Sequence, residues 1–151
     1  MKLGRILNKK LNTAIADMGH GEMLIVCDAG MKIPTEAQRI DLALEQDVPT
    51  VEQVLKLLVE DFCYERVIVT QDLPLYNPNL YKTVEEVCTR CPIEQIPYDE
   101  FMRTLPQNAK YIVRTGSFSP YADIALVSAI DAPKWFTKPG VKVPPVYKGR
   151  V

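Results

Sequence analysis

Short aliphatic runs separated by capped helical patterns constrain this chain more than any other feature. Residues 23–29, residues 66–70 (Arg66-Val67-Ile68-Val69-Thr70) and residues 124–128 are too short for helices. They are dense in β-formers, so each reads as a buried strand. Between them lie segments with helical periodicity. Leu7, Leu11, Ile15 and Met18 predict a helix over 8–18, with Gly19 placed for a left-handed cap. Thr50-Val51-Glu52-Gln53 has the form of a capping box, followed by the stripe Val51, Val54, Leu55, Leu58 and Phe62. Asn77-Pro78 reads as an N-cap and first helical residue, and Leu80, Val84, Val87 and Cys88 continue that helix inward. A short strand over 93–97, a helix over 99–105 and a strand over 111–113 complete the alternation. Strands alternating with helices predict an α/β fold, a three-layer α/β/α sandwich with a largely parallel central sheet.

Composition narrows the function classes. At 151 residues the chain fits one domain, and 47% hydrophobic residues argue against disorder. With 18 basic and 19 acidic residues the net charge is −1, which lacks the basic excess of a nucleic-acid binder. No apolar run approaches the ~18 residues that span a bilayer, and the first residues lack the apolar block of a signal peptide. A cytoplasmic protein, free of membrane and nucleic acid, is expected. The charge is unevenly spread. Residues 132–151 hold four prolines, four lysines and one arginine with no acidic residue, so residues 1–131 carry about −6. That segment reads as unable to form a conventional helix or central strand. It is expected as a mobile tail or, with Trp135, Phe136 and Tyr147 to bury, as an extended arm on a neighbouring subunit.

Cys27 and Cys63 sit in apolar surroundings and read as small buried hydrophobes. Cys88 and Cys91 form a CxxC, but no second CxxC or histidine pair completes a zinc site. A redox CxxC belongs at a helix N-terminus, where the dipole lowers a thiol pKa, and this pair falls at a helix end.

The only histidine lies in Met18-Gly19-His20-Gly21-Glu22, where flanking glycines allow a tight turn to present the imidazole. It reads either as an idle loop histidine or as a proton shuttle working near neutral pH. Asp28 ends a strand, the place where open α/β sheets bind ligands, and it reads equally as a turn former. The stretch from Arg114 to Asp123 gathers hydroxyls, a phenol and a carboxylate between two strands, which suits a polyhydroxylated ligand. There is no GxGxxG, no GxxxxGK[ST] and no GxSxG, so dinucleotide, ATP and serine-hydrolase chemistry is not indicated.

Taken in order, Leu3-Gly4, Leu7-Asn8, Met18-Gly19-His20-Gly21, Val26-Cys27-Asp28-Ala29-Gly30, Ile33-Pro34, Arg39-Ile40-Asp41, Gly116 and Ser119-Pro120-Tyr121-Ala122 strongly resemble the D-ribose pyranase and fucose mutarotase family. The resemblance runs to about Asp131, dividing the chain into a pyranase/mutarotase-like domain at 1–131 and a basic, proline-rich tail at 132–151. It implies an isomerase that interconverts cyclic forms of a free monosaccharide, D-ribose or another aldose such as L-fucose, with no cofactor and no metal. It implies His20 as proton donor, and Asp28, Tyr98, Tyr121, Ala122 and Asp123 as sugar-binding positions. It also implies a ring-shaped homo-oligomer with sugar sites near subunit contacts. A sugar-binding protein without catalysis is the reading from a different class.

Two residues depart from the family pattern. Asp123 stands where the motif ends in asparagine, and Tyr98 where the family carries a basic residue. Together they predict a preferred sugar other than ribose, or binding with little catalysis. Spacing adds a condition. His20 and Asp28 are eight residues apart, roughly 26 Å along an extended chain at ~3.3 Å per residue, too far for one monosaccharide to bridge. Either the chain folds back between them, or they serve one site from adjacent subunits.

Overall fold

The structure, a computed structural model, describes residues 2–151. Its first helix, α1 (Lys9–Asp17), begins where the Asn8 side chain accepts the Leu11 amide at 3.1 Å. Strand β1 (Met23–Cys27) follows the histidine turn, and β2 (Gln38–Asp41) comes after a loop. Helix α2 (Val51–Asp61) carries the complete capping box: the Gln53 amide donates to Thr50 Oγ1 and the Thr50 amide to Gln53 Oε1. Then come β3 (Tyr64–Thr70), the short α3 (Asp72–Tyr76) and α4 (Pro78–Val87), which Asn77 caps at the Leu80 amide. The chain continues through β4 (Ile93–Ile96), α5 (Tyr98–Asn108), β5 (Tyr111–Arg114), β6 (Ile124–Ser128) and α6 (Ala132–Phe136).

The six strands form one sheet in the order β2-β5-β1-β6-β3-β4. β1, β2 and β5 run parallel, as do β3 and β4, and β6 lies antiparallel between β1 and β3. Five strands therefore share one direction and β6 alone opposes them. Alternate residues serve opposite faces, as the strand repeat of two demands. Leu24, Val26, Val67, Val69, Ile124 and Leu126 pack beneath the apolar stripes of α1, α2 and α4. Ile25, Cys27, Ile68, Ile112, Ala125 and Val127 face the other way, onto Phe101 of α5 and onto Met31 and Ile33. Helices thus cover both faces of a largely parallel sheet, the predicted three-layer sandwich.

Two elements carry too little periodicity to be read from sequence. β2 is an edge strand in which only Ile40 is buried, so no alternation shows. α3 is five residues long and contains Pro74. The predicted end of α5 at Leu105 also falls short, because the helix continues through a buried Pro106 to Asn108.

The proline-rich segment requires a correction. It does form a helix, α6, because Pro133 stands in the first turn, where a missing N–H leaves no bond unmade. Nor is it an extended arm: a 3-10 turn at Pro145–Tyr147 brings the chain back, Phe136 and Tyr147 pack with ring centroids 5.0 Å apart, and Arg150 pairs with Glu65 of the same chain. Cys88 caps the C-terminus of α4, where the helix dipole offers a thiolate nothing, and burial pushes its thiol up to about 12. No helix among the described residues is long and apolar enough to cross a membrane.

Candidate active site

The reversed direction of β6 brings two carboxylates together. Val26 pairs with Ile124, so Asp123 at the start of β6 sits beside Asp28 at the end of β1, and the Asp28 amide points at Asp123 Oδ1 at 3.4 Å. Asp28 Oδ1 accepts the amides of Gly30 and Met31 at 2.7 and 2.9 Å. It is therefore both a turn former and a wall of the adjacent cavity. Parallel pairing of β3 and β4 delivers Tyr98 to the same end of the sheet, just after β4. Asp28, Lys32, Tyr98, Tyr121 and Asp123 line one cavity of about 470 Å³ there. Such a position, outside the carboxyl ends of parallel strands, is where α/β sheets hold ligands.

Asp123 is only 4% exposed. Burial, with the nearby Asp28 carboxylate, raises its pKa to about 7. Tyr98 has its phenol pushed upward by burial and by Asp123. Tyr121 holds a left-handed backbone at φ 55°, a conformation unfavourable for an aromatic residue. Its ring stacks on Tyr76 at 5.4 Å and meets the edge of Tyr98 at 5.9 Å, and Asn77 Nδ2 donates to Ser119 Oγ and the Pro120 carbonyl to hold the loop before it. Ala122 contributes no side chain to the cavity: it is fully buried in the core on the α1–α2–α4 side, leaving only backbone to offer. Sequence reasoning missed Tyr76, because its helix is too short to show a period, and saw Asn77 only as a cap. An exposed tyrosine just before a capped helix was the available signal.

The loop that carries Tyr121 is anchored at Gly116, where a Cβ would lie 2.4 Å from the carbonyl oxygens of both Glu45 and Val48. Backbone lines both sides, so nothing there yields. Gly116→Ala is expected to destabilise the protein by about 2–3 kcal/mol, as overpacking does. A urea midpoint equal to that of the wild type would show that the loop accommodates a methyl group.

His20 lies at the other end of the sheet. The amide of Gly21, at φ 83°, donates to the carbonyl of Ser128 at 2.9 Å, docking the turn where β6 ends and β3 begins. Glu22 Oε2 accepts the Gly19 amide and Lys110 Nζ, which hold its carboxyl below the usual range, and Tyr111 donates to Asp17 Oδ2 at 2.8 Å. This clamp fixes both ends of the turn, while the imidazole stays 42% exposed with Nε2 2.9 Å from Glu65 Oε1. The five residues of β1 separate His20 from Asp28 by at least ~13 Å. Fold-back within one chain is thereby excluded as a way of joining His20 to the Asp28 cavity.

Residues 1–131 match the profile of the RbsD / FucU transport protein family. The chain belongs to this family. It is 39% identical to D-ribose pyranase 2 of Rubrobacter xylanophilus over 150 residues, covering 99% of this chain and 97% of that one. It is also 39% identical to D-ribose pyranase 1 of Streptomyces griseus over 151 residues and the full length of both. Similarity to these two relatives therefore continues through the basic tail. Among solved structures, Bacillus subtilis RbsD complexed with D-ribose superposes with a TM-score of 0.82 at 32% identity, covering 86% of this chain and 98% of that one. The activity class of the family is that of sugar isomerases and mutarotases.

Proposed function

We propose that this protein interconverts the cyclic forms of a free aldose such as D-ribose by opening and reclosing the hemiacetal ring. The observation that carries this reading is the convergence of Asp28, Tyr98, Tyr121 and Asp123 on one cavity at the carboxyl ends of the strands. The similarity to a ribose-bound RbsD supports it. Carboxylates and phenols supply the directional hydrogen bonds a polyol needs, and the tyrosine faces match the apolar face of a sugar.

Ring opening requires a proton delivered to the ring oxygen and one withdrawn from the anomeric hydroxyl. Reclosure through another hydroxyl, or on the other face of the carbonyl, gives the new form. Imidazole is the side chain suited to that transfer near neutrality, and His20 is the sole one present. His20 and the Asp28 cavity lie at opposite ends of the sheet, so His20 of one subunit serves the cavity of its neighbour in a homo-oligomer. The reaction needs only positioning and one proton-transfer group, which fits so short a set of residues.

The test is saturation-transfer NMR on a panel of free aldoses. Enhanced exchange between pyranose and furanose signals of at least one aldose is expected, and full activity on ribose would show that Asp123 and Tyr98 do not shift the preference. Enhancement confined to anomer exchange of another sugar, such as a 6-deoxy aldose, would instead support the mutarotase reading, which Asp123 and Tyr98 favour as departures from the family pattern. Saturable binding with no enhancement for any sugar would leave a non-catalytic binder.

A further inference from the structure

The basic tail ends its course on the carboxylate that holds the histidine. Glu65 belongs to β3 at the point where the ladder with β6 slips: Tyr64 pairs with Ser128 and Arg66 with Val127, leaving Glu65 as the extra residue of a bulge. A bulge redirects the side chain it carries. Here Glu65 turns toward the histidine turn, which is docked on Ser128. Its two oxygens are divided: Oε1 lies 2.9 Å from His20 Nε2, and Oε2 accepts Arg150 NH1 at 2.6 Å.

Arg150 is itself placed by the fold of the tail. Its guanidinium lies 5.9 Å from the centre of the Tyr147 ring, Tyr147 packs on Phe136, and Phe136 closes α6. The segment from Ala132 to Arg150 is thus one folded-back unit that places a cation beside Glu65. A cavity of about 260 Å³ separates the tail from β3, with Glu65, Arg90 and Arg150 on its walls. Glu65 is one-fifth exposed, and the donors Arg150 and His20 hold its carboxyl below the usual range against the opposing effect of burial.

We propose that Arg150 is a positioning residue for His20, acting through Glu65: the tail fixes the Glu65 carboxylate, and that carboxylate holds the imidazole by Nε2–H so that the ring faces its substrate in one tautomer and orientation. This rests on the reading of His20 as the proton donor. It assigns to the segment outside the family match a direct part in the acid/base machinery. A carboxylate bound to one imidazole nitrogen leaves the other as the proton-transferring atom, so Nδ1 is the working nitrogen.

Because His20 is the only histidine, its ring nitrogens are read without assignment in a ¹H–¹⁵N imidazole spectrum of the full chain. The wild type is expected to show a single Nε2–H tautomer when neutral. Arg150→Ala and Glu65→Gln should each broaden or average that pattern, and Arg150→Lys should restore it. In steady-state exchange kinetics Arg150→Ala should lower kcat about three- to fivefold, the scale of a half-exposed ion pair, with KM unchanged. The same substitution in the Glu65→Gln background should cost nothing further, because the path through Glu65 is already cut.

An equal loss from Arg150→Ala in both backgrounds would overturn the inference, as would an imidazole spectrum indifferent to Arg150 and Glu65. The spectrum and the kinetics separate two failures. If no sugar exchange is catalysed at all, the functional reading falls while the ring measurement still decides whether the tail positions His20.

Discussion

Replacing His20 with alanine is expected to slow exchange between sugar ring forms by ~10²–10⁴-fold, the usual worth of a positioned acid/base group. Sugar affinity should change by no more than about tenfold, the worth of one hydrogen bond. The separation of effects follows from the architecture, in which the side chains proposed to bind sugar gather at one end of the sheet and His20 lies at the other. Asp28→Ala should show the converse, a large loss of affinity. The pair then tests how the site is assembled. Mixing the two variants at a sugar concentration too low for Asp28→Ala to turn over, with subunit exchange verified by native mass spectrometry, should recover about a quarter of wild-type activity by random assortment if each site spans two subunits. Exchanged subunits with no recovered activity would rule out a shared site.

The second large effect is a stability that falls as pH rises through neutrality. Asp123 has a folded pKa of about 7 against 3.8 for an unhindered aspartate, because burial and Asp28 both oppose its charge. The folded state therefore keeps a proton that the unfolded chain releases. The stabilisation is complete below the unfolded pKa and is lost between roughly pH 4 and pH 7. Three pKa units correspond to about 4 kcal/mol across that window. Asp123→Asn removes the titration while keeping the shape. The variant should match the wild type near pH 3.5 and exceed it by about 2–4 kcal/mol at pH 8. Denaturant melts of both proteins at the two pH values provide the check, and parallel pH profiles would show that Asp123 is not the group responsible. Comparison with the variant also cancels the surface carboxylates Asp17, Glu22 and Glu94, whose depressed values act in the opposite sense at lower pH. Within the same window Asp123 turns from a potential hydrogen-bond donor into an acceptor, so the hydrogen bonds it can offer in the cavity reverse direction.

Much of the scaffold was legible because local rules decide it. The capping box at Thr50 and Gln53, the Asn77-Pro78 helix start and the aliphatic strands depend on neighbours within four residues. β2 and α3 escaped because one buried residue, or five residues interrupted by proline, leave no period to count. Proline count alone misleads in the tail, because the position of Pro133 within the first turn is what matters.

Local pattern in the sequence is enough for the α/β class, the family resemblance and a set of candidate site residues. Tertiary structure decided their grouping. The antiparallel course of β6 makes neighbours of Asp28 and Asp123, which are 95 residues apart, and a bulge in β3 aims Glu65 at both His20 and Arg150. Strand direction and register depend on contacts between distant segments, and no local pattern encodes them. The same geometry sends His20 and Asp28, close in sequence, to opposite ends of the sheet, because a strand carries its two ends apart by ~3.3 Å for every residue it contains.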